Sequence, residues 1–266
     1  MPIKITEFFA MVLALAGPAP QEAPRELQLK VGEQIVAIGD SITSQGGYVR
    51  DIDAVLAQQY PDLKLPRILN AGFSGNKAED LVARFHRDVI ARKPAVVTIN
   101  IGINDVWHRL KAPHQDEVLA KYVRNLALMV DDAQSAGTRV VLVAPSVISE
   151  DPSAEGNRRL ALYVQAMKRV AADKKCCFVD LHAMFLEAIR RKPPGAGARW
   201  LTTDGVHMGP MGNGLMAVAI LRALGVSDAK IAASTPPEGR GTFPTSAPTS
   251  ATSRSSAHGA ARTSGG

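Results

Sequence analysis

The sequence predicts an α/β protein in which a parallel β-sheet lies between two layers of helices, a three-layer α/β/α sandwich. Short strands alternate with helices of about three to five turns, and apolar residues recur at helical spacing in the longer segments. Right-handed crossovers between parallel strands then place helices on both faces of the sheet. The composition of the 266 residues, 46% hydrophobic and 21% charged, is that of a globular chain.

Five segments are predicted as strands, at residues 34–38, 67–69, 96–101, 139–143 and 177–179. The third is a nearly continuous apolar run, which is typical of a central strand covered on both faces. Helices are predicted at residues 48–59, 77–92, 115–136 and 157–173, with a final helix after residue 207. Gly137 is expected to end the third of these helices.

The two ends of the chain differ from the middle. An apolar run from Phe8 to Ala16 is too short to span a bilayer but suits the core of a signal peptide. Residues 1–25 are therefore interpreted as a signal peptide, which implies export to the periplasm or outside the cell and no membrane insertion of the mature chain. The alternative is an N-terminal helical extension on a cytoplasmic protein. Residues 234–266, rich in Ser, Thr, Pro, Ala and Gly, are predicted to be a disordered tail, which leaves a domain at residues 26–233.

Charge and cysteine content exclude several classes of protein. Lys and Arg exceed Asp and Glu by 31 to 25, but basic residues such as Arg84, Arg87 and Arg92 are scattered along helices without interleaved aromatic residues. We interpret them as a solvated surface and expect no nucleic-acid partner. The adjacent Cys176 and Cys177 rule out a disulfide framework, and no Cys–His spacing suggests a metal site.

Polar or glycine-containing turns follow the predicted strands, at the sheet edge where α/β proteins bind their ligands. Gly39-Asp40-Ser41 follows the first strand, and a turn containing Gly75 follows the second. Gly102-Ile103-Asn104-Asp105 follows the third strand. Asp204 and His207 share a loop before the final helix.

A serine hydroxyl attacks poorly without a base, and His207, with a carboxylate three residues earlier in a turn, could supply one. Asp204 could therefore orient His207 while the other imidazole nitrogen faces Ser41. Each residue also has a plainer interpretation. Ser41 could cap a helix, and Asp204 could form an Asx turn beside a surface histidine.

Taken together, the four turns resemble the blocks of the SGNH hydrolase family, the GDSL esterases and lipases, and they occur in that family's order between residues 35 and 224. The resemblance implies a flavodoxin-like five-stranded parallel sheet and an ester hydrolase that needs no cofactor. It implies Ser41 as nucleophile and Asp204 and His207 as the rest of a triad. The implied oxyanion hole consists of the backbone N–H groups of Ser41 and Gly75 and the side-chain amide of Asn104. Asp40 and Asp105 are expected to be structural.

Other hydrolase classes fit less well. Gly-x-Ser-x-Gly is absent at Ser41, so the nucleophile turn of α/β-hydrolases is not matched, and too few Asp and His residues follow the strands for a metallophosphoesterase. A binding protein for carbohydrate or lipid that has lost turnover stays an alternative.

The expected substrate is a small-molecule or carbohydrate ester with a short acyl group, such as an acetyl ester, with lysophospholipids and thioesters as alternatives. Four aromatic or imidazole side chains near these loops could contact it, although packing in the core is the other interpretation. They are Tyr48, Trp107, His108 and Trp200.

Overall fold

The computed structural model of the protein describes residues 7–18 and 27–237. Five parallel strands form one sheet in the order β2-β1-β3-β4-β5. This is the flavodoxin-like order, so the predicted fold class is confirmed. The strands are β1 (Ile35–Gly39), β2 (Leu69–Gly72), β3 (Val96–Asn100), β4 (Arg139–Val143) and β5 (Cys177–Val179).

Two layers of helices cover the sheet. The helices are α1 (Phe8–Ala16), α2 (Ser41–Gln45), α3 (Gly47–Gln59), α4 (Ala78–Asp88), α5 (Ile103–Trp107), α6 (Asp116–Ser135), α7 (Glu155–Asp173), α8 (Leu181–Arg190), α9 (Pro210–Ala223) and α10 (Asp228–Ala232). Helices α4, α6 and α7 pack side by side in one layer. In the other layer α9 packs against α1, α3 and α8.

The centre of the sheet is apolar on both faces. Every residue of β1 and β3 is buried, as the continuous apolar runs predicted, and Ile35–Gly39 pairs in register with Val96–Asn100. The predicted bounds of the longer helices and of the other central strands are correct to within a few residues. Gly137 follows α6 with a φ of 77°, the left-handed conformation expected after a helix.

The second strand lies later in the chain than predicted. The apolar pair Ile68 and Leu69 suggested residues 67–69, whereas β2 is Leu69–Gly72, with Asn70 paired to Ala37 and Gly72 to Gly39. This edge strand is half exposed, so pairing with β1 determines its position rather than apolar composition. Its last residue therefore lies beside the end of β1.

Helix α1 is part of the folded domain in this structure. Phe8, Phe9 and Val12 are buried, and α1 packs against α9, α10 and α8. Gly214 allows the close approach, because a Cβ at that position would lie 2.7 Å from the ring of Phe8. The buried Arg222 of α9 donates a hydrogen bond of 2.8 Å to the backbone carbonyl of Gly17. The remainder of the predicted signal peptide, residues 1–6 and 19–25, lies outside the described residues.

At the other end, the folded domain continues past the predicted boundary at residue 233. Ser234 is buried, and the backbone N–H and C=O of Thr235 both bond to the side chain of Gln58 on α3. The rest of the predicted tail, residues 238–266, lies outside the described residues. In the part of the chain that the structure does describe, no helix is long and apolar enough to cross a membrane.

Candidate active site

Ser41 is the first residue of α2, directly after the turn that ends β1. The preceding residue, Asp40, starts the helix, since its side chain accepts a hydrogen bond of 3.0 Å from the Ile42 N–H. This short helix was not predicted, because five residues give no recognisable apolar period. The strand and the cap together hold the serine at the carboxyl edge of the sheet.

Three of the predicted site residues are hydrogen-bonded in a chain. His207 Nε2 lies 2.9 Å from Ser41 Oγ, and His207 Nδ1 lies 2.6 Å from Asp204 Oδ2. The first is a normal hydrogen-bond distance, and the second is shorter than most N–H···O bonds. The other carboxylate oxygen of Asp204 accepts the backbone N–H groups of Val206 and His207, at 2.9 and 2.8 Å. Asp204 is therefore fixed to the turn that carries His207. Its side chain forms both the Asx turn and the hydrogen bond to the imidazole, so the two interpretations of Asp204 do not exclude each other.

The carboxylate of Asp204 is kept in its charged form. Desolvation raises its pKa, but the hydrogen bonds from the His207 side chain and from the backbone of His207 and Val206 outweigh that effect and lower the pKa to about 2. Asp204 thus carries its negative charge across the whole physiological range. A negative carboxylate at Nδ1 favours the tautomer with its proton on Nδ1, which leaves Nε2 free to accept a proton from Ser41.

The loops after β2 and β3 are connected to each other. Asn104 is buried on α5, and its side-chain amide donates a hydrogen bond of 3.0 Å to the backbone carbonyl of Asn76. The neighbouring Gly75 has a φ of 80° and lies exposed at the tip of its loop. The first of these loops is also bonded to the nucleophile turn, because the Phe73 N–H donates to Gly39 C=O at 3.0 Å.

Arg84 of α4 holds these loops together. Its scattered basic pattern predicts a solvated side chain, yet the side chain of Arg84 is only 13% exposed. Its guanidinium donates to the carbonyls of Gly39 and Ala71 and to the side chain of Asn76, at 3.1, 2.8 and 2.8 Å. The one indication in the sequence was that Arg84 is adjacent to Phe85, which is buried on α4. Counting basic residues along the chain does not take such neighbours into account.

Two buried carboxylates lie beside the triad and the loops. Burial raises the pKa of Asp40 to about 6, although the hydrogen bond from Ile42 acts in the opposite direction. Burial also raises the pKa of Asp105 to about 7, against the effect of its bond from the Ala78 N–H. The bond to Ala78 joins α5 to the start of α4, which agrees with the structural role expected for Asp105.

The four expected substrate-contacting side chains separate into two groups. Trp107 is 39% exposed, and its ring centroid lies 6.3 Å from that of His207. His108 is exposed next to it and Trp200 is partly buried. Tyr48 must be removed from this group, because it is 1% exposed and its hydroxyl lies 3.0 Å from Thr43 Oγ1 in the core. The sequence could not show that the ring of Tyr48 turns inward.

A cleft of about 460 Å³ opens beside the triad. It is lined by Trp107, Ile148, Ser149, Glu150, Asp151, Ala198, Arg199, Asp204, Gly205 and Val206. Polar and charged side chains therefore share the wall with one indole ring. Within residues 7–18 and 27–237, no three His, Cys, Asp or Glu side chains are grouped as a metal site would require.

Comparison with known proteins gives consistent results. Residues 37–215 match the model of the GDSL-like Lipase/Acylhydrolase family. An acetylxylan esterase of Geobacillus stearothermophilus is 33% identical over 217 residues, covering 75% of this chain and 97% of that protein. Esterase TesA of Pseudomonas aeruginosa is 30% identical, over 70% of this chain and 82% of that protein. An uncharacterized lipoprotein of Bacillus subtilis is 31% identical, over 53% and 57% respectively.

The fold of this chain is also similar to that of the acetylxylan esterase. The crystal structure of the same acetylxylan esterase superposes with a TM-score of 0.68, covering 76% of this chain and 98% of that one at 33% identity. Catalytic mutants of that enzyme have a serine, a histidine or an aspartate replaced by alanine. The family model spans more than half of the chain, and both the relatives and the fold agree with it. The chain therefore belongs to the GDSL-like lipase/acylhydrolase family, the SGNH hydrolases, and is a carboxylic ester hydrolase.

Proposed function

We propose that this enzyme hydrolyses acetyl and other short acyl esters of carbohydrates through an acyl-enzyme on Ser41. The observation that carries the proposal is the continuous hydrogen-bonded chain from Asp204 through His207 to Ser41. Such a chain is what an activated serine requires, namely a base in contact with the hydroxyl and a carboxylate that orients the base.

In the first half-reaction, Ser41 Oγ attacks the carbonyl carbon of the ester while its proton passes to His207 Nε2. Asp204, charged throughout, stabilises the imidazolium that forms. The imidazolium then gives its proton to the oxygen of the alcohol, the C–O bond breaks, and the acyl group stays on Ser41.

Water completes the cycle with the same groups. It loses a proton to His207 as it attacks the acyl carbon, and His207 returns that proton to Ser41 Oγ as the carboxylic acid leaves. In each half-reaction negative charge develops on the carbonyl oxygen. We assign its donors as the backbone N–H groups of Ser41 and Gly75 and the side-chain N–H of Asn104 that is not bonded to Asn76.

The cleft beside the triad supports a carbohydrate as the alcohol part. Arg199, Asp151 and Ser149 offer donors and acceptors for hydroxyl groups, and the exposed ring of Trp107 offers a flat apolar face of the kind on which sugars stack. The similarity to an acetylxylan esterase agrees with an acetylated sugar polymer or oligomer. His108 and Trp200 are assigned to the margin of this cleft.

The decisive test compares wild type with Ser41→Ala. The variant should lose ester hydrolysis and covalent labelling by a serine-directed phosphonate while keeping its circular dichroism spectrum and unfolding midpoint. Labelling of the variant at the wild-type rate would refute the assignment of the nucleophile. The same probe tests the alternative of a silent binding protein, because such a protein would leave even the wild type unlabelled.

The substrate class is tested by measuring kcat/KM on acetylated xylan and on nitrophenyl esters of increasing chain length. We expect the acetyl ester to be best in the series. A preference for long chains, or for thioesters or lysophospholipids, would favour the second candidate. One observation speaks for it, since Phe73, 64% exposed in the loop before Gly75, is an apolar surface that an acyl chain could cover.

We further propose that the protein is exported. The apolar run of α1 and the relative named as a lipoprotein support this. The packing of α1 on α9 favours a helix that stays attached after export rather than a removed leader. Mass measurement of the protein from the medium or periplasm decides between the two, because loss of residues 1–25 is readily resolved from an intact chain.

A further inference from the structure

Glu150 lies in the loop between β4 and α7, and its carboxylate is hydrogen-bonded to a second loop. It accepts hydrogen bonds from the three consecutive backbone N–H groups of residues 200, 201 and 202, at 2.9, 2.8 and 2.7 Å, and a further one of 2.7 Å from the Thr202 hydroxyl. Hydrogen bonds to a charged acceptor are about twice as strong as neutral ones. The segment bound by Glu150, residues 200–202, ends two residues before Asp204.

Thr202 connects the carboxylate of Glu150 to the turn that carries Asp204 and His207. Its side chain is buried, and while its hydroxyl donates to Glu150, the same oxygen accepts the Gly205 N–H at 3.2 Å. The turn itself is closed by a bond of 2.8 Å from the Thr203 N–H to the His207 C=O. A continuous set of hydrogen bonds therefore leads from Glu150 to the backbone between Asp204 and His207.

The residue before Glu150 contacts the same turn on its other side. The Ser149 N–H donates a bond of 2.7 Å to Gly205 C=O. Ser149 has a φ of 76°, a left-handed conformation that costs a residue with a Cβ about 1 kcal/mol or more. Such a conformation persists only where the surroundings enforce it. Residues 149 and 150 thus hold the turn at two places, at Gly205 and at 200–202.

From this geometry we propose that Glu150 is a positioning residue for the triad. It holds the turn in the one placement that brings His207 Nε2 to 2.9 Å from Ser41, and it acts through that turn rather than on the reacting atoms. The inference rests on the proposed function, since it assumes that His207 serves Ser41. A misplacement of about 1 Å in a catalytic group can cost on the order of 10²-fold in rate.

The test compares Glu150→Ala, Glu150→Gln and the matched control Glu155→Gln. Glu155 is an exposed carboxylate at the start of α7 that pairs with Arg158 and Arg159. kcat, KM and the rate of phosphonate labelling are measured on folded protein, well below each unfolding midpoint. Glu150→Ala should lower kcat and labelling by about 10- to 100-fold with little change in KM. Glu150→Gln should recover much of this loss, because its amide oxygen can accept the same backbone N–H groups, and the control should equal wild type.

A purely structural role would give a different result, namely a lowered unfolding midpoint with wild-type kcat and labelling in folded Glu150→Ala, and this would overturn the proposal. If that variant does not fold, Thr202→Val tests the same connection, and unchanged kcat in it would also overturn the proposal. Ser41→Ala is assayed in the same series. Activity that survives in Ser41→Ala refutes the proposed function itself, whatever Glu150 does.

Discussion

The side-chain amide of Asn104 donates a hydrogen bond to the backbone carbonyl of Asn76 and thereby joins the loops that follow β3 and β2. The amide nitrogen carries two hydrogens, so one N–H fixes the side chain and the second stays available. The same contact therefore sets the position of the proposed Asn104 donor relative to Gly75, which directly precedes Asn76.

Replacing Asn104 should affect the chemical step. Asn104→Ala removes the donor without adding charge, and kcat should fall by on the order of 10² to 10³ with little change in KM. Asn104→Asp should be at least as damaging, because it places negative charge where negative charge develops. Both are measured on an ester for which acylation limits the rate. A kcat near that of wild type in Asn104→Ala would exclude the donor role.

Asp105→Asn should instead change the pH dependence of stability. The pKa of this carboxyl is about 7 in the folded protein against an ordinary value of 3.8, so the folded state binds the proton more tightly than the unfolded chain. Its contribution to the free energy of unfolding therefore declines as pH rises from about 4 to 7, by on the order of 4 kcal/mol in total. Asparagine does not titrate. As pH rises across this range, the unfolding midpoint of the variant should therefore increase relative to that of wild type. A difference between the two midpoints that stays constant from pH 4 to 8 would contradict the prediction.

Arg84→Lys should lower both stability and kcat. An ammonium group cannot replace the planar fork that reaches Gly39, Ala71 and Asn76 together, so we expect the variant to lose about 1 to 3 kcal/mol of stability. The control is Arg87→Lys, since the side chain of Arg87 is 74% exposed. Thermal unfolding and kcat are compared for the two variants, and equal behaviour would show that the contacts of Arg84 are unimportant.

Gly214→Ala reports whether α1 stays packed on α9. Alanine in place of a helical glycine normally stabilises by about 1 kcal/mol. Here its Cβ would lie 2.7 Å from Phe8 and 2.9 Å from Val12, so we expect the unfolding midpoint of the full chain to fall. In a Phe8→Ala background the effect of Gly214→Ala should become smaller or change sign. Stabilisation by Gly214→Ala in the otherwise unaltered full chain would mean that α1 leaves α9.

The sequence is most informative where one local pattern determines the structure. The apolar runs of β1 and β3 and the spacing of Asp204 and His207 are visible in a few consecutive residues. The sequence does not mark Glu150 and Arg84 as site residues, because each acts on backbone groups of segments far away in the sequence, and no local pattern identifies such a partner. Tyr48 shows the same limit, since the inward orientation of its ring depends on its contact with Thr43 and on the core, which no local pattern reveals.

The hydrogen bond between Ser41 and His207 joins residues 166 positions apart. Contacts that close long loops form late in folding, whereas helices such as α6 are local and form early. In a refolding experiment, helical signal should therefore return before phosphonate labelling does. A chain still emerging from the ribosome cannot hydrolyse esters until the segment after β5 is synthesised and docked. Because Ser41 follows the first strand and His207 lies in the segment after the last strand, esterase activity appears only when the fold is complete.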